Sequence, residues 1–362
     1  MPPDRRLERQ AALRGALEAE GLEELLITHL PNIRYLTGFT GSAALLVVRA
    51  DATVLITDFR YAAQAPAEVG SVAGVEIDLR SVWERLGKVL RSAARESLGV
   101  EAQSLSLRDA ERVGSITRAR IVPTIDIVQR LRAIKSPEEV AAIHSAAELA
   151  QEALAEVLPG VRVGQTEVEI GAALEAALRR RGSEWHPFPT IVASGPRSAL
   201  PHARTSARSI GTGELLLIDF GAQVDGYCAD LTRTMVVGAR ADERQRMIHE
   251  LVQSAQRRAI EHLRPGMPAR EGDALARDVI ATRGFGEAFG HSLGHGLGLE
   301  VHEAPRVAAN SESPLPPHAV VTVEPGVYFP GWGGVRLEDN VYLGMDETVL
   351  LSDGRTELLE LV

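Results

Sequence analysis

The stretch Leu215 to Thr234, LLLIDFGAQVDGYCADLTRT, constrains this chain more than any other. The apolar run Leu215-Leu216-Leu217-Ile218 closes on Asp219, glycines 221 and 226 mark a turn, and a second segment carries Asp230. The pattern predicts adjacent strands of one ribbon, each bringing a carboxylate. A carboxylate at the end of a buried run is costly to leave alone. The remedies are a bound cation, a hydrogen-bond network or a raised pKa.

A second stretch repeats the device. Val320-Val321-Thr322-Val323 closes on Glu324, Gly326 follows as Gly221 follows Asp219, and Val335-Arg336-Leu337 leads to Glu338. Ahead of each ribbon a Pro-Gly pair precedes a helical pattern, at Leu158-Pro159-Gly160 and Arg264-Pro265-Gly266. The patterns end at Arg181-Gly182 and Arg283-Gly284. These parallels predict an internal duplication, two half-domains about a pseudo-twofold axis, with four carboxylates meeting at one place. Such a group repels itself strongly unless cations intervene. Carboxylates with one or two histidines favour Mn, Co or Zn over Ca. Three histidines cluster in Gly290-His291-Ser292-Leu293-Gly294-His295-Gly296-Leu297-Gly298-Leu299-Glu300-Val301-His302, and His202 lies apart.

The rest of the chain bounds the context. Its 362 residues suffice for two domains of ordinary size. A net charge of −10 without a basic block argues against nucleic-acid binding. No apolar run approaches the ~18 residues that span a bilayer, and MPPDRRLERQ has no apolar core of a secretory signal. The single cysteine, Cys228, excludes an intrachain disulfide and fits a reducing cytoplasm.

Residues 3–19 read as an amphipathic helix, 22–28 as a strand, and Asn32 to Ser42 as a turn-rich stretch. Strands over 43–48 and 53–57 predict a hairpin. Helices near 60–68, 81–95, 107–113 and 124–132 alternate with apolar segments near 74–78, 98–101 and 119–122, the pattern of an α/β domain. The expected boundary places one domain at 1–133 and the other at 134–362. Ser136-Pro137-Glu138-Glu139 predicts a capping box opening a helix to about Leu158.

Together, Asp219, Asp230, His295, Glu324 and Glu338, with GHGLGLEVHE, TVEPGVY and GGVRLEDN in that order, resemble the metal ligands of the pita-bread metallopeptidases. These include methionine aminopeptidase, aminopeptidase P and prolidase. The segment Asn32 to Ser42 and the linker Arg132 to Lys135 resemble the creatinase-type N-terminal domain, which points to the Xaa-Pro-cleaving branch. The resemblance implies an α/β N-terminal domain followed by an α+β pita-bread catalytic domain. It implies two divalent ions per chain, Mn foremost, with Co or Zn as alternatives. Asp219 would hold one ion, His295 and Glu324 the other, and Asp230 and Glu338 both. Glu324 would be the proton acceptor and donor, and His202, His291 and His302 would line the substrate site. Arg336, two residues before Glu338, would fix that carboxylate or the substrate's. The implied activity is aminopeptidase P-like, on a proline-containing peptide, by a cytoplasmic homodimer. The alternatives are a dipeptidase and, more distantly, a catalytically silent binding protein; metal-free creatinase chemistry fits less well, since all five ligand positions are filled. Cys228 reads as a small filler. Trp185 to Pro189 suits a pocket wall or a core, and Asp225, Glu300, Glu303 and Asp339 read as turn, surface or supporting acids.

Overall fold

Amphipathic segments alternating with fully apolar runs build the first unit of the computed structural model, which describes residues 4–92 and 95–362. Helix α1 (Arg6–Ala19) buries Leu13 and Leu17. Strands β1 (Glu24–Ile27), β2 (Ala44–Arg49), β3 (Thr53–Asp58), β4 (Gly74–Asp78), β5 (Ser97–Glu101) and β6 (Arg120–Thr124) form one sheet in the order β4-β3-β2-β1-β5-β6. β2 and β3 are the expected antiparallel hairpin, whereas β1–β5 and β5–β6 are parallel. Every residue of β1 and β2 is buried, which explains their continuous apolar character. The remaining helices are α2 (Leu30–Thr37), α3 (Gln64–Val69), α4 (Val82–Arg91), α5 (Leu107–Ile116) and α6 (Ile127–Ala133). Leu86, Val89 and Leu90 of α4 and Val113 of α5 join Leu26, Val47, Ile56 and Leu98 in one core. Of the expected helices, Pro3 and residues 93–94 lie outside the described residues.

The turn-rich reading of Asn32 to Ser42 is corrected over its first half. Pro31 stands in the first turn of α2, and Gly38 ends the helix with a left-handed φ of 79°. Asn32 is buried, its amide nitrogen 2.5 Å from Glu101 Oε1 and its oxygen 2.7 Å from Arg132 Nη1. A polar residue that sequence reads as a turn former thus fastens a buried helix.

The chain divides by contacts into Met1–Arg132 and Ala133–Val362. In the second unit the capping box at Ser136 is present and opens α7 (Pro137–Val157), followed by α8 (Glu167–Arg180). Strands β7 (Ile191–Ser194), β8 (Glu214–Phe220), β9 (Gln223–Val224), β10 (Tyr227–Cys228) and β11 (Leu231–Val237) complete the first half. The second half begins with α9 (Glu243–His262) and α10 (Ala269–Thr282). It continues with β12 (Gly294–Gly296), β13 (Glu303–Val307), β14 (Val320–Val323), β15 (Gly326–Phe329), β16 (Gly333–Arg336), β17 (Asp339–Leu343), β18 (Thr348–Leu350) and β19 (Leu359–Leu361).

The duplication is visible in this order. α7 and α9 have 21 and 20 residues, and α8 and α10 have 14 each. The sheets run β19-β11-β8-β7 and β13-β12-β14-β17-β18, so β7, β8 and β11 correspond to β12, β14 and β17. In each half a two-stranded ribbon, β9–β10 or β15–β16, is inserted between the two acids. One core is built on Ala147, Ala150, Leu174, Leu178, Leu216 and Ile218; the other, on Ile248, Val252, Ala276, Ile280, Val321 and Val341, also takes in Leu215 and Val236 of the first half.

Candidate metal centre

The halves meet at the acids. Thr232 of β11 and Glu338 form an isolated antiparallel bridge, with the Glu338 amide donating to Thr232 O at 3.1 Å. Asp219 lies opposite Thr232 in the β8–β11 ladder, and Asp230 immediately precedes β11. Glu324 directly follows β14, its amide donating to Leu293 O at 2.9 Å. All four side chains line one cleft of about 1120 Å³, together with His202, His291, His295, His302 and Arg336. Every sequence-predicted site residue is thus brought to the same cleft.

Three carboxylate oxygens, Asp219 Oδ1, Asp230 Oδ1 and Glu338 Oε1, are buried without a hydrogen-bond partner. Burial raises the pKa of both Asp230 and Glu338 well above the carboxylate range, and neighbouring acids raise each further. Burial likewise lifts Asp219, against the pull of Arg336, and pushes Glu324 up to about 8. A group of this kind is destabilising by itself, because each buried acceptor lacks a donor and each charge faces like charge.

His295 completes the set. Its Nδ1 lies 3.0 Å from the carbonyl of Gly296, which makes that nitrogen the proton donor. Burial, then His302, lowers its pKa to about 4, so the ring is neutral and Nε2 carries a lone pair. That lone pair faces Glu324 Oε1 at 3.5 Å and Asp230 Oδ2 at 3.7 Å. Donor atoms of Asp230, His295 and Glu338 all lie within 4.8 Å of one another. Acceptor atoms converge here with no protein N–H donor between them, and a carbonyl fixes the tautomer from behind. Both are properties of a metal site, so the residues present fit divalent cations.

Arg336 differs from expectation. Its Nη2 donates to Asp219 Oδ2 at 2.5 Å, not to Glu338, and Nε donates to Thr232 Oγ1 at 3.0 Å. Nη1 lies 3.1 Å from Pro201 O and 3.0 Å from Tyr328 Oη. The guanidinium sits across the seam from its own strand and reaches Glu338 only through the Thr232 hydroxyl, which donates to Glu338 Oε2 at 2.7 Å. Surrounding Tyr328, Asp219, Glu338 and Glu324 more than offset the burial that opposes its charge. With four of its five N–H groups engaged, Arg336 orients the site.

His291 is also committed. Nδ1 lies 2.8 Å from Ser292 O, and Nε2 accepts from Tyr328 Oη at 2.9 Å, while burial holds its pKa down at about 4. His302 packs edge-on against His295, 4.3 Å between ring centres, and is exposed like His202. Cys228 is buried, and burial raises its thiol pKa to about 12, in keeping with a filler. Asp339 is a buried supporting acid that accepts from Arg233 at 2.7 Å, and Glu303 accepts from Lys135 at 3.1 Å.

Sequence reasoning passed over Thr232, Thr322 and Tyr328. The Thr322 hydroxyl accepts from the His295 amide at 3.1 Å. Tyr328 joins Arg336 to His291, and its even spacing from Glu324 and Gly326 was the available signal.

Four carboxylates, three of them buried, one imidazole lone pair and an open cleft form the kind of site that a metal-dependent hydrolase uses. The comparisons with known proteins give the family. Metallopeptidase family M24 matches residues 141–344, and the Creatinase/Prolidase N-terminal domain matches residues 9–134. The chain belongs to family M24, divalent-metal-dependent peptidases of the pita-bread fold. It is 40% identical to the uncharacterized peptidase YqhT of Bacillus subtilis, over 98% of this chain and 99% of the relative. An Xaa-Pro dipeptidase from Bacillus anthracis superposes with a TM-score of 0.95 at 36% identity, covering 98% of this chain and 100% of that one. An X-Pro aminopeptidase from Thermotoga maritima superposes at 0.90 and 34% identity, covering 97% and 99%.

Proposed function

We propose that this peptidase hydrolyses the bond between an N-terminal residue and a following proline, on peptides longer than two residues. The observation that carries the chemistry is the set of partnerless buried carboxylate oxygens in the cleft that also holds His295. Asp219, Asp230, His295, Glu324 and Glu338 would hold two ions, manganese first among the candidates. Bound there, such ions supply Lewis acidity and make a nucleophilic water available near neutral pH.

The chain's own residues do the rest. Glu324 takes the proton from the attacking water and returns it to the departing proline nitrogen. His302, exposed beside His295, and His202 across the cleft are free to donate to the substrate carbonyl. His291, held by Tyr328, fixes the wall behind them. Arg336 donates to Asp219 Oδ2 and favours its ionised form against the burial that opposes it.

A cleft of about 1120 Å³ exceeds the ~300–1,000 Å³ typical of sites that enclose a single small ligand, which supports a longer peptide. The dipeptidase reading is favoured instead by the likeness to the Bacillus anthracis enzyme. Assaying an Xaa-Pro dipeptide beside an Xaa-Pro-Yaa tripeptide with Mn²⁺ separates the two. Turnover of the tripeptide is expected, and cleavage of the dipeptide alone would reject our reading in favour of the second.

A further inference from the structure

We propose that one wall of the cleft is a subsite for a cationic side chain, arginine or lysine, formed by Glu175 and Thr190; the assignment to a peptide residue rests on the functional reading above. The placement follows from how α8 lies along β7. The Ser194 amide donates to Glu167 Oε1 at 2.9 Å. One turn further along the helix, a Cβ on Gly171 would stand 3.6 Å from Val192 Cγ2. Four helical residues rise about 6 Å and two strand residues about 6.8 Å, so the next step sets Glu175 beside Thr190. Both residues line the cleft.

Two polar groups there lack partners, one of them buried. Thr190 is only 6% exposed, yet its hydroxyl has no hydrogen-bond partner. Among the described residues, Glu175 has neither an ion pair nor a hydrogen bond for its carboxylate. The neighbouring acids differ: Glu167 accepts from Arg197, and Glu303 from Lys135. The nearby Thr205 hydroxyl is already used, donating to Thr190 O at 2.7 Å and accepting from Val192 N at 2.9 Å. Arg204 lines the cleft as well but makes no ion pair with Glu175 among the described residues. A carboxylate and a buried hydroxyl without donors match a group that has donors alone, an ammonium or a guanidinium. Val168, Ala172 and Phe188 supply apolar surface for the aliphatic stem of such a side chain.

The test uses peptides whose bond ahead of proline is a reduced methylene-amine, so that no turnover is required. Nle-Pro and Nle-Pro-Nle-Nle are compared with versions in which arginine replaces each norleucine in turn, and Kd is measured by calorimetry on the Mn²⁺-loaded protein. At one position arginine should bind about two- to fivefold tighter than norleucine, the scale of a partly exposed ion pair. Glu175→Gln should bring that ratio close to one, Thr190→Val should reduce it, and Glu175→Lys should turn the preference toward glutamate. Equal binding of arginine and norleucine at every position would overturn the subsite, as would a ratio that survives Glu175→Gln. Uniform weakening of all peptides by that variant would do so too, since it would place the α-ammonium against Glu175. Hydrolysis of the unmodified norleucine peptides tests the functional reading separately.

Discussion

The two halves of the catalytic unit share an order of helices and strands but contribute unequally to chemistry. Each brings two acids at corresponding places, Asp219 with Asp230 and Glu324 with Glu338. The ladder positions that match His295 in the second half fall on Ala193 in the first. The nitrogen donor, Tyr328, His291 and Arg336 all come from the second half. The first half contributes His202 and, across the seam, Thr232. Duplicated topology therefore gives the symmetric part of the site, the carboxylates, while the asymmetric donors set what the site can do. A symmetric cradle holds ions; proton handling needs one side to differ.

The sharpest way to break this comparison is at Glu324. Glu324→Gln should lower kcat by ~10²–10⁴-fold at saturating Mn²⁺, measured on an Xaa-Pro-Yaa peptide. A variant keeping more than a tenth of the wild-type rate would remove the distinction between the halves.

The next effect concerns how the halves are tied. Lys135, just ahead of α7, is paired with Glu303 of β13, and both are buried. Lys135→Met should cost about 3–5 kcal/mol in urea unfolding, because it removes the cation that faces a buried carboxylate. A loss below about 1 kcal/mol would mean that water reaches Glu303.

Gly221 and Gly326 occupy matching places yet should fail differently. A Cβ on Gly221 would fall 2.0 Å from Ala229 O, a backbone atom that cannot step aside. On Gly326 it would meet Tyr328 Oη at 2.5 Å and His291 Nε2 at 3.2 Å. Gly221→Ala should therefore destabilise by about 1–3 kcal/mol or more. Gly326→Ala should mainly depress kcat with a smaller stability loss. Thermal melts and kinetics on the two variants check this, and identical profiles would erase the contrast.

The smallest effect is in pH. Between pH 7.2 and 8 the buried imidazoles, with pKa values near 4, are neutral, and those of the unfolded chain are largely so. Glu324, with its folded pKa near 8, still holds a proton in the metal-free fold that the unfolded chain has released. Stability of the chelated protein should therefore fall as pH rises through this window, by of order 1 kcal/mol. The stabilisation conferred by Mn²⁺ should widen in parallel. Melting curves with and without metal at pH 7.2, 7.6 and 8 measure it; a rise with pH in the chelated protein would contradict the buried-acid picture.

Much of this was legible before any coordinates. Acids that close apolar runs, glycines at matching offsets and the Ser136 capping box are local signals, and each appears where the sequence put it. The misses are non-local. Thr232 meets Glu338 across 106 residues, and Arg336 meets Asp219 across 117. Spacing along one strand pointed Arg336 at its neighbour Glu338, but the other half's strands present a nearer partner. Asn32 misled for a related reason. Its composition reads as a turn, but a buried partner in β5 and another in α6 outweigh that propensity.

The bridge between Thr232 and Glu338 has a physiological consequence. It joins the two halves at the point where like charges crowd. Ions held there, as proposed, would clasp the catalytic unit, and metal binding and cohesion of the halves would be one equilibrium. Cellular metal supply would then govern how long the protein survives as well as how fast it works. A chain made during metal starvation would open along this seam and be exposed to proteases.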